Sequence, residues 1–276
     1  MNRKHSLASV VANHTLAVTL AIMFLAPFFF VFLTSFMTPG EAGTREFWPT
    51  SWHPENYLQV FSKLNMWRLY GNSFLYAGLA TIFMLLSSIP AAYALSRIQF
   101  RASRFIFVVI IWAMMLPPQI TTVPLYVMWA RLHLTGSLWP LILPNVLGDA
   151  FSVFLLRQFM LTIPKDYSES AKLDGCGEFK TMTRIIVPMA KPGIAAAAIF
   201  LFFNAWNDYY GPLLYTSENP NAWPISYALA TLRTTRNVNW NLTMAASVLA
   251  MIPVLLIFFS AQKIFVQGVT LTGVKG

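Results

Sequence analysis

The sequence contains few charged residues and a single cysteine. Charged residues account for 11% of the 276 positions, whereas roughly 25% is typical of a soluble domain. Apolar residues account for 57%, so a soluble fold of this size would have too little charge to cover its surface. The single cysteine excludes an internal disulfide, and the four scattered histidines lack the spacing of metal ligands. These shortages favour a lipid bilayer as the surroundings of the chain, and they predict no metal site.

The sequence also lacks a phosphate-binding loop of the Gly-x4-Gly-Lys-Ser/Thr type. The chain is therefore not expected to be an enzyme that hydrolyses ATP by itself. Its net charge of +9 would suggest nucleic acid if the basic residues shared one soluble face. They lie instead between apolar runs, where Lys and Arg set the orientation of membrane proteins. No nucleic-acid partner is predicted.

Six apolar stretches are long enough to cross a bilayer, which takes roughly 20 mainly apolar residues in a helix. They cover residues at about 12–36, 72–95, 105–123, 138–157, 193–214 and 244–264. Each is predicted to be helical, because lipid offers no partner for exposed backbone groups. The first is longer than the apolar region of a signal peptide and is interpreted as a retained span. The predicted fold class is an all-α integral membrane protein with six transmembrane helices, forming a single domain over residues 1–276.

Lys and Arg are distributed unevenly between alternate connections. Thirteen fall on the side that holds both termini and residues 158–191, and six fall on the other side. The positive-inside bias therefore predicts that both termini and the 158–191 loop are cytoplasmic. The opposite side has two aromatic-rich loops, at about 37–71 and 215–243. Their rings are typical of the membrane interface, and they also suit a surface on which a partner protein docks.

The 158–191 loop is long and polar for a connection between two spans. It contains Glu169-Ser-Ala-Lys-Leu-Asp-Gly175 and, after nine further residues, Ile185-Ile-Val-Pro188. Acidic residues near its start and the glycines at 175 and 177 predict two short helices with a sharp turn between them. One face of the second helix is predicted to hold Phe179, Met182 and Ile186.

This spacing resembles the EAA motif, Glu-Ala-Ala-x3-Gly-x9-Ile-x-Leu-Pro, of membrane subunits in binding-protein-dependent ABC importers. The sequence departs from that motif at Ser170 and Val187. The tail from Gln262 to Gly276 is similar to that of MalG-type carbohydrate permeases, and Trp206-Asn207-Asp208 adds to the resemblance. The resemblance implies a type I ABC importer permease in a bacterial cytoplasmic (inner) membrane. Its MetI-like bundle would have five core helices and one peripheral N-terminal helix.

The resemblance also implies partners and residue roles. The ATPase-coupling residues would be Glu169, Ser170, Ala171, Asp174, Gly175, Ile185 and Pro188. A second contact with the ATPase would come from the Gly-rich tail, which has little tendency to form a helix: Thr272, Gly273, Val274, Lys275 and Gly276. The implied partners are a second homologous permease, two copies of an ABC ATPase, an extracytoplasmic solute-binding protein and the lipid bilayer. ATP and Mg would be bound by the ATPase, so this chain is expected to bind no cofactor.

Polar side chains within the apolar spans are candidates for a substrate path, since such groups usually face a cavity or a partner. Hydrogen-bonding groups beside aromatic rings suit a sugar, whose hydroxyls need polar partners and whose C–H faces pack on rings. The candidates are Gln119, Asn145, Asp149, Asn204, Trp206, Asn207, Asp208 and Tyr209. The competing interpretation is that they bond helices to one another inside the bundle. The predicted function is the ATP-driven import of a sugar or sugar-like solute.

Two other classes of function are open at this point. An ion-coupled secondary transporter would use membrane carboxylates such as Asp149 and Asp208, often within inverted repeats, and no such repeat is visible. An integral-membrane enzyme would need clustered His, Asp or Glu near an interface, and the acids of the 158–191 loop have no His beside them. Gradient-driven uptake by the chain without an ATPase would favour the first class.

Overall fold

The computed structural model describes residues 7–44, 47–232 and 238–272, and within these ranges the chain is helical with no β-strand. The α-helices are α1 (Leu7–Thr34), α2 (Pro39–Ala42), α3 (Glu55–Lys63), α4 (Met66–Arg97), α5 (Ser103–Met115), α6 (Gln119–Arg131), α7 (Trp139–Ile142), α8 (Ala150–Thr162), α9 (Asp166–Leu173), α10 (Glu178–Thr181), α11 (Val187–Met189), α12 (Lys191–Asn207), α13 (Tyr210–Tyr215), α14 (Ile225–Thr231) and α15 (Trp240–Thr272). Two 3₁₀ turns, Leu143–Leu147 and Pro220–Ala222, and one π-helical turn, Met182–Ile186, complete the described elements.

Four helical segments in the described ranges are long and apolar enough to cross a membrane: Val10–Thr34, Met66–Arg97, Trp139–Thr162 and Trp240–Gln262. Two further pairs of helices pass the same criteria but are bent, α5 with α6 by 92° and the Glu178–Met189 segment with α12 by 79°. Counting each bent pair as one span gives six, the predicted number, although the Glu178–Met189 half of the second pair belongs to the 158–191 loop and only α12 overlaps the predicted fifth span. The all-α class predicted from composition is confirmed for the described residues.

The third predicted span, residues 105–123, is broken in the structure. Helix α5 ends at Met115, Leu116 is extended, and α6 begins at Gln119. The cause is the pair Pro117-Pro118, since proline has no N–H to donate and disfavours helical backbone in the residue before it. Residues 125–131 form the second half of α6.

The fifth predicted span, residues 193–214, also ends early. Helix α12 stops at Asn207, and Asp208 is extended at its C-terminal cap. The Asp208 carboxylate accepts a hydrogen bond from the Gly211 N–H through Oδ1 at 3.0 Å, and the chain then turns into α13. The apolar run therefore continues past the end of the helix, which hydropathy alone does not reveal.

The chain forms two compact units, and the first comprises Met1–Met66 and Leu229–Ile252. Its interior contains polar side chains among the apolar ones. The buried Asn56 donates through Nδ2 to the Ser35 and Met37 carbonyls at 3.0 and 2.9 Å, and its Oδ1 accepts from Asn241 Nδ2 at 3.1 Å. These bonds satisfy groups that would be costly to leave unpaired in an apolar interior. They fix α3 against the end of α1 and the start of α15.

The second unit comprises Trp67–Ala228 and Pro253–Gly276. Its apolar core joins α4, α8, the π-helical turn and α12, through a cluster that includes Met84, Tyr93, Leu156, Met160, Ile186 and Ala197. Helices α8 and α12 approach closely where α12 has a glycine, because a Cβ on Gly193 would lie 2.5 Å from Phe159 Cγ. The 158–191 loop leaves the membrane from one of these two helices and returns through the other, so this packing sets the position of the loop.

Candidate coupling and translocation sites

The turn at Gly175 has a defined hydrogen-bonded geometry. Helix α9 ends with Asp174 as its C-cap, and Gly175 follows with φ +75°, the left-handed region in which glycine is strongly favoured. The Gly175 N–H donates to the Lys172 carbonyl at 3.0 Å, and the Cys176 N–H donates to the Ala171 carbonyl at 2.9 Å. This pair of bonds is a Schellman motif, which satisfies carbonyls at a helix end. The predicted sharp turn between two helices is present at this glycine.

The motif residues of α9 divide into a buried side and an exposed side. Ala171 is 3% exposed, so its methyl group packs within this chain. Four others are exposed to the outside of the chain: Glu169, Ser170, Asp174 and Gly175. In the return segment, Ile185 is half-buried against the core cluster and Pro188 is exposed. The exposed four therefore form a surface at the end of the loop.

Two large apolar side chains project beside the Gly175 turn. Leu173 is 90% exposed and Phe179 is 76% exposed. The expectation that Phe179 shares a face with Met182 and Ile186 is wrong, since those two are buried in the core. Phe179 lies in the first turn of α10, beyond the reach of that core. The sequence analysis did not identify Leu173, although a leucine inside a polar segment next to the motif glycine was a usable signal.

Glu178 links both halves of the loop to a membrane helix. Its carboxylate accepts from the Tyr93 hydroxyl of α4 at 2.6 Å and pairs with Lys172 Nζ of α9 at 2.9 Å. Hydrogen bonds of this charged type are stronger than neutral ones. Neither Glu178 nor Tyr93 was identified from the sequence, because they are 85 positions apart.

Two arginines bind the ends of α4 and α8 to each other. Arg97 of α4 donates through Nη2 to the carbonyls of Met160 and Ile163, both at 2.6 Å, at the C-terminal end of α8. Arg157 of α8 donates to the Leu95 carbonyl of α4 at 3.1 Å. Its guanidinium also lies 3.8 Å above the centroid of the Phe107 ring, a favourable cation–π distance. The loop thus begins where α4 and α8 are held together by these hydrogen bonds.

Two of the predicted substrate-path residues line one cavity inside the second unit. Asp149 and Asn204 border a space of about 310 Å³ together with Ser152 and the rings of Phe151 and Phe200. The two rings meet edge to face at 6.0 Å between centroids. Asp149 is the N-cap of α8, and its Oδ2 accepts from the Ser152 N–H and hydroxyl at 2.8 and 2.7 Å. Hydrogen-bonding groups and aromatic surface therefore face the same space, as a sugar requires.

Asp208 makes bonds within the chain instead. Its Oδ2 accepts from the Tyr76 hydroxyl at 2.9 Å, and its carbonyl accepts from Ser226 Oγ at 2.6 Å. Trp206 is buried between Phe202 and Phe74, at centroid distances of 5.8 and 4.9 Å. These contacts support the interpretation that Asp208 and Trp206 hold the C-terminal end of α12 in place.

The remaining candidates are dispersed. Asn207 donates to the Phe203 carbonyl of its own helix at 2.8 Å, and Tyr209 stacks on Tyr227 at 5.9 Å. Asn145 donates to the Leu141 carbonyl at 3.0 Å, and Gln119 is an exposed residue at the start of α6. None of these four borders the cavity of Asp149 and Asn204. In the described ranges no group of three or more His, Cys, Asp or Glu side chains could hold a metal ion.

The C-terminal tail is more helical than expected. Helix α15 continues to Thr272, whereas the sequence analysis predicted little helix in this segment. The extension follows on from a long span, so no new helix has to be nucleated. Gly273, Val274, Lys275 and Gly276, the rest of the predicted ATPase contact, lie outside the described residues.

Comparison with known proteins identifies similar membrane subunits. Residues 72–271 match the family described as "Binding-protein-dependent transport system inner membrane component". The chain is 31% identical to the arabinooligosaccharides transport system permease protein AraQ of Halalkalibacterium halodurans, over 83% of this chain and 81% of that one. It is 30% identical to the diacetylchitobiose uptake system permease protein DasC of Streptomyces coelicolor, over 99% and 100%. A solved bacterial ABC transporter involved in the import of the acidic polysaccharide alginate has the same fold, with a TM-score of 0.79, 21% identity, and coverage of 95% of this chain and 99% of that chain.

Proposed function

The chain belongs to the binding-protein-dependent transport system inner membrane components, the permease subunits of ABC importers, and from this premise we propose that it imports a sugar or sugar-like solute. Relatives of similar length are named for the transport of arabinooligosaccharides and diacetylchitobiose. The observation that carries the proposal within this chain is the 158–191 loop, which is bonded to α4 and ends in exposed apolar side chains. A loop that only connected two membrane helices would not need exposed apolar side chains at its end.

The loop end would dock on an ATPase subunit. Leu173 and Phe179 expose apolar surface, and Glu169, Ser170 and Asp174 add polar groups around the Gly175 turn. An interface of this kind has an apolar centre with a polar rim. The bonds from Glu178 to α4 and α9 support rigid transmission, since a flexible loop would dissipate any displacement of its end. The complex would contain a second homologous permease, two copies of the ATPase and an extracytoplasmic solute-binding protein.

ATP would then change the permease by binding two states of the complex with different affinity. Closure of the ATPase pair displaces the loop end, and α4, α8 and α12 follow because the loop is bonded to them. Both termini and the loop would lie in the cytoplasm, where the ATPase is. ATP and Mg would bind the ATPase and not this chain.

The solute would contact the cavity bordered by Asp149 and Asn204. Sugar hydroxyls would bond to Asn204 and Asp149, and C–H faces would pack on Phe151 and Phe200. We expect Asn204→Ala to raise the KM for uptake by about fivefold, the effect of losing one hydrogen bond. Ser260→Ala is the control, because Ser260 bonds the Leu256 carbonyl of its own helix and does not border the cavity. Equal KM values for both variants and the unaltered protein would contradict this site.

Docking is tested by crosslinking in inverted membrane vesicles. In a Cys176→Ser background, which has no other cysteine, Leu173→Cys should crosslink to the ATPase within a short spacer length. Ser51→Cys, an exposed residue of the 37–71 loop, should give no such product. Failure of Leu173→Cys to capture an ATPase in an active complex would refute the docking role. Uptake driven by an ion gradient in vesicles without the ATPase would favour a secondary transporter instead.

A further inference from the structure

A second, larger cavity lies behind the coupling loop, on the side facing α4. It has a volume of about 830 Å³ and is bordered by the end of α4, the connection to α5 and the first two turns of α9. Four basic side chains and one acidic side chain line it: Arg97, Arg101, Lys165, Lys172 and Glu169. The lining therefore carries net positive charge. None of the substrate-path candidates belongs to it, so the solute cavity and this one are separate.

Two of the basic groups have no protein partner. Arg97 bonds the carbonyls at the end of α8, and Lys172 pairs with Glu178. The side chains of Arg101 and Lys165, in contrast, are exposed and make no hydrogen bond or ion pair with any residue that the structure describes. Because the four cations of this concave surface outnumber its one carboxylate, Glu169, the surface attracts an anion from outside the chain.

A buried hydroxyl points to the same conclusion. Ser168 lines the cavity and is 9% exposed, yet its Oγ has no hydrogen-bond partner in the described structure. The Nε of Arg97, which also lines the cavity, is buried and equally unpartnered. Buried polar groups are nearly always bonded, and these two donors belong to residues that line the cavity, so an acceptor bound there would need only a small shift of the two side chains to bond them.

We propose that this cavity binds the phosphate group of an anionic phospholipid. A phosphate has several strong acceptor oxygens and matches a set of Arg, Lys and hydroxyl donors better than a single carboxylate does. The other wall is apolar, with Leu95, Ile98 and Phe100, as the start of an acyl chain requires. The site also adjoins the end of the α4 span, where lipid headgroups are expected, and basic cavities at such positions bind anionic lipids. Glu169 provides the only opposing charge in the lining.

The test uses the complete transporter, purified with its ATPase and depleted of lipid. Phosphatidylglycerol and phosphatidylcholine are titrated separately, and bound lipid is counted by native mass spectrometry. We expect phosphatidylglycerol to bind preferentially, and the double variant Arg101→Gln/Lys165→Gln to bind it about 25-fold more weakly, or about fivefold for each charge. Ser168→Ala removes a hydroxyl without changing the net charge. It should weaken binding by about tenfold, because the hydrogen bond from that hydroxyl to the charged phosphate is lost.

The matched control is Lys180→Gln/Arg184→Gln, which removes the same charge from exposed positions of the same loop outside the cavity. It should bind phosphatidylglycerol like the unaltered complex.

Equal binding by both double variants would overturn the proposal. Loss of the ATPase from the Arg101→Gln/Lys165→Gln complex with lipid binding intact would also overturn it, and would assign the cavity to an acidic segment of a protein partner. Displacement of the lipid by millimolar inorganic phosphate would identify free phosphate as the ligand and exclude a lipid-specific site. None of these readouts depends on solute transport, so the result is independent of the proposed import function.

Discussion

Replacement of Gly175 tests the turn on which the coupling loop depends. The residue has φ +75°, and a Cβ added there would meet no atom within 4 Å. The cost of a side chain is therefore conformational and not steric within this chain. It amounts to about 1–2 kcal/mol for alanine in the left-handed region, less for asparagine and more for a β-branched residue. A cost of that size changes the ratio of formed to unformed turn by about 5- to 30-fold.

We expect ATPase activity coupled to uptake to fall in the order Gly175→Asn, Gly175→Ala, Gly175→Val. Hydrogen exchange of the Asp166–Thr181 segment should rise in the same order while the spans stay protected. Gly177→Ala is the control, because Gly177 has φ −70° and an added Cβ there also meets nothing within 4 Å. It should behave like the unaltered protein.

The order of the first two variants separates backbone strain from a clash with the docked ATPase. Strain makes alanine worse than asparagine, since asparagine tolerates the left-handed region. A clash makes the larger asparagine worse than alanine. If asparagine proves worse, or if Gly175→Val couples as well as Gly177→Ala, the reasoning from φ is refuted.

Three further predictions concern orientation, packing and pH. A membrane-impermeant maleimide should label Cys176, the one cysteine of the sequence, in inverted vesicles and not in intact cells; the reverse pattern would invert the assigned topology. Gly193→Ala should lower the stability of the complex by about 1–3 kcal/mol through overpacking against Phe159, and Phe159→Ala should restore part of it, as measured by thermal unfolding. Bonds from Thr50, and then from Thr38, lower the pKa of Glu41 to about 2. The ionised Glu41 carboxylate therefore stabilises the 37–71 loop fully at pH values above its usual pKa of about 4.5, and this stabilisation is lost as the pH falls towards 2 and the carboxylate becomes protonated. The tryptophan fluorescence of that loop should follow this loss, and Glu41→Gln should remove the pH dependence.

The sequence predicted the spans and the shape of the coupling loop because both are local properties. A run of about 20 apolar residues forms a helix in lipid, and a glycine directly after a short polar helix, such as Gly175, favours a left-handed turn. The bend at Pro117-Pro118 is not predicted by average apolarity, because that average does not depend on whether a residue has a backbone N–H to donate. Two adjacent prolines inside a span are the sequence signal that indicates it.

The contacts that position the sites are not local. Asp208 is bonded by Tyr76, 132 positions away, and Glu178 by Tyr93, 85 positions away. No pattern within one helix indicates such a pair. Asp149 and Asn204 were both named as candidates, but only the packing of α8 against α12 brings them to one cavity. The sequence therefore indicated which polar residues could line a substrate path, but it did not indicate which of them lie next to each other.

The crossed arginines at the C-terminal ends of α4 and α8 restrict how this permease can change shape. Arg97 reaches from the first helix to the second, and Arg157 reaches back. Sliding either helix along its axis would break both attachments at once. We therefore expect the two helices to move together as one rigid body, so a change of shape would occur elsewhere, for example at the break between α5 and α6 at Pro117-Pro118.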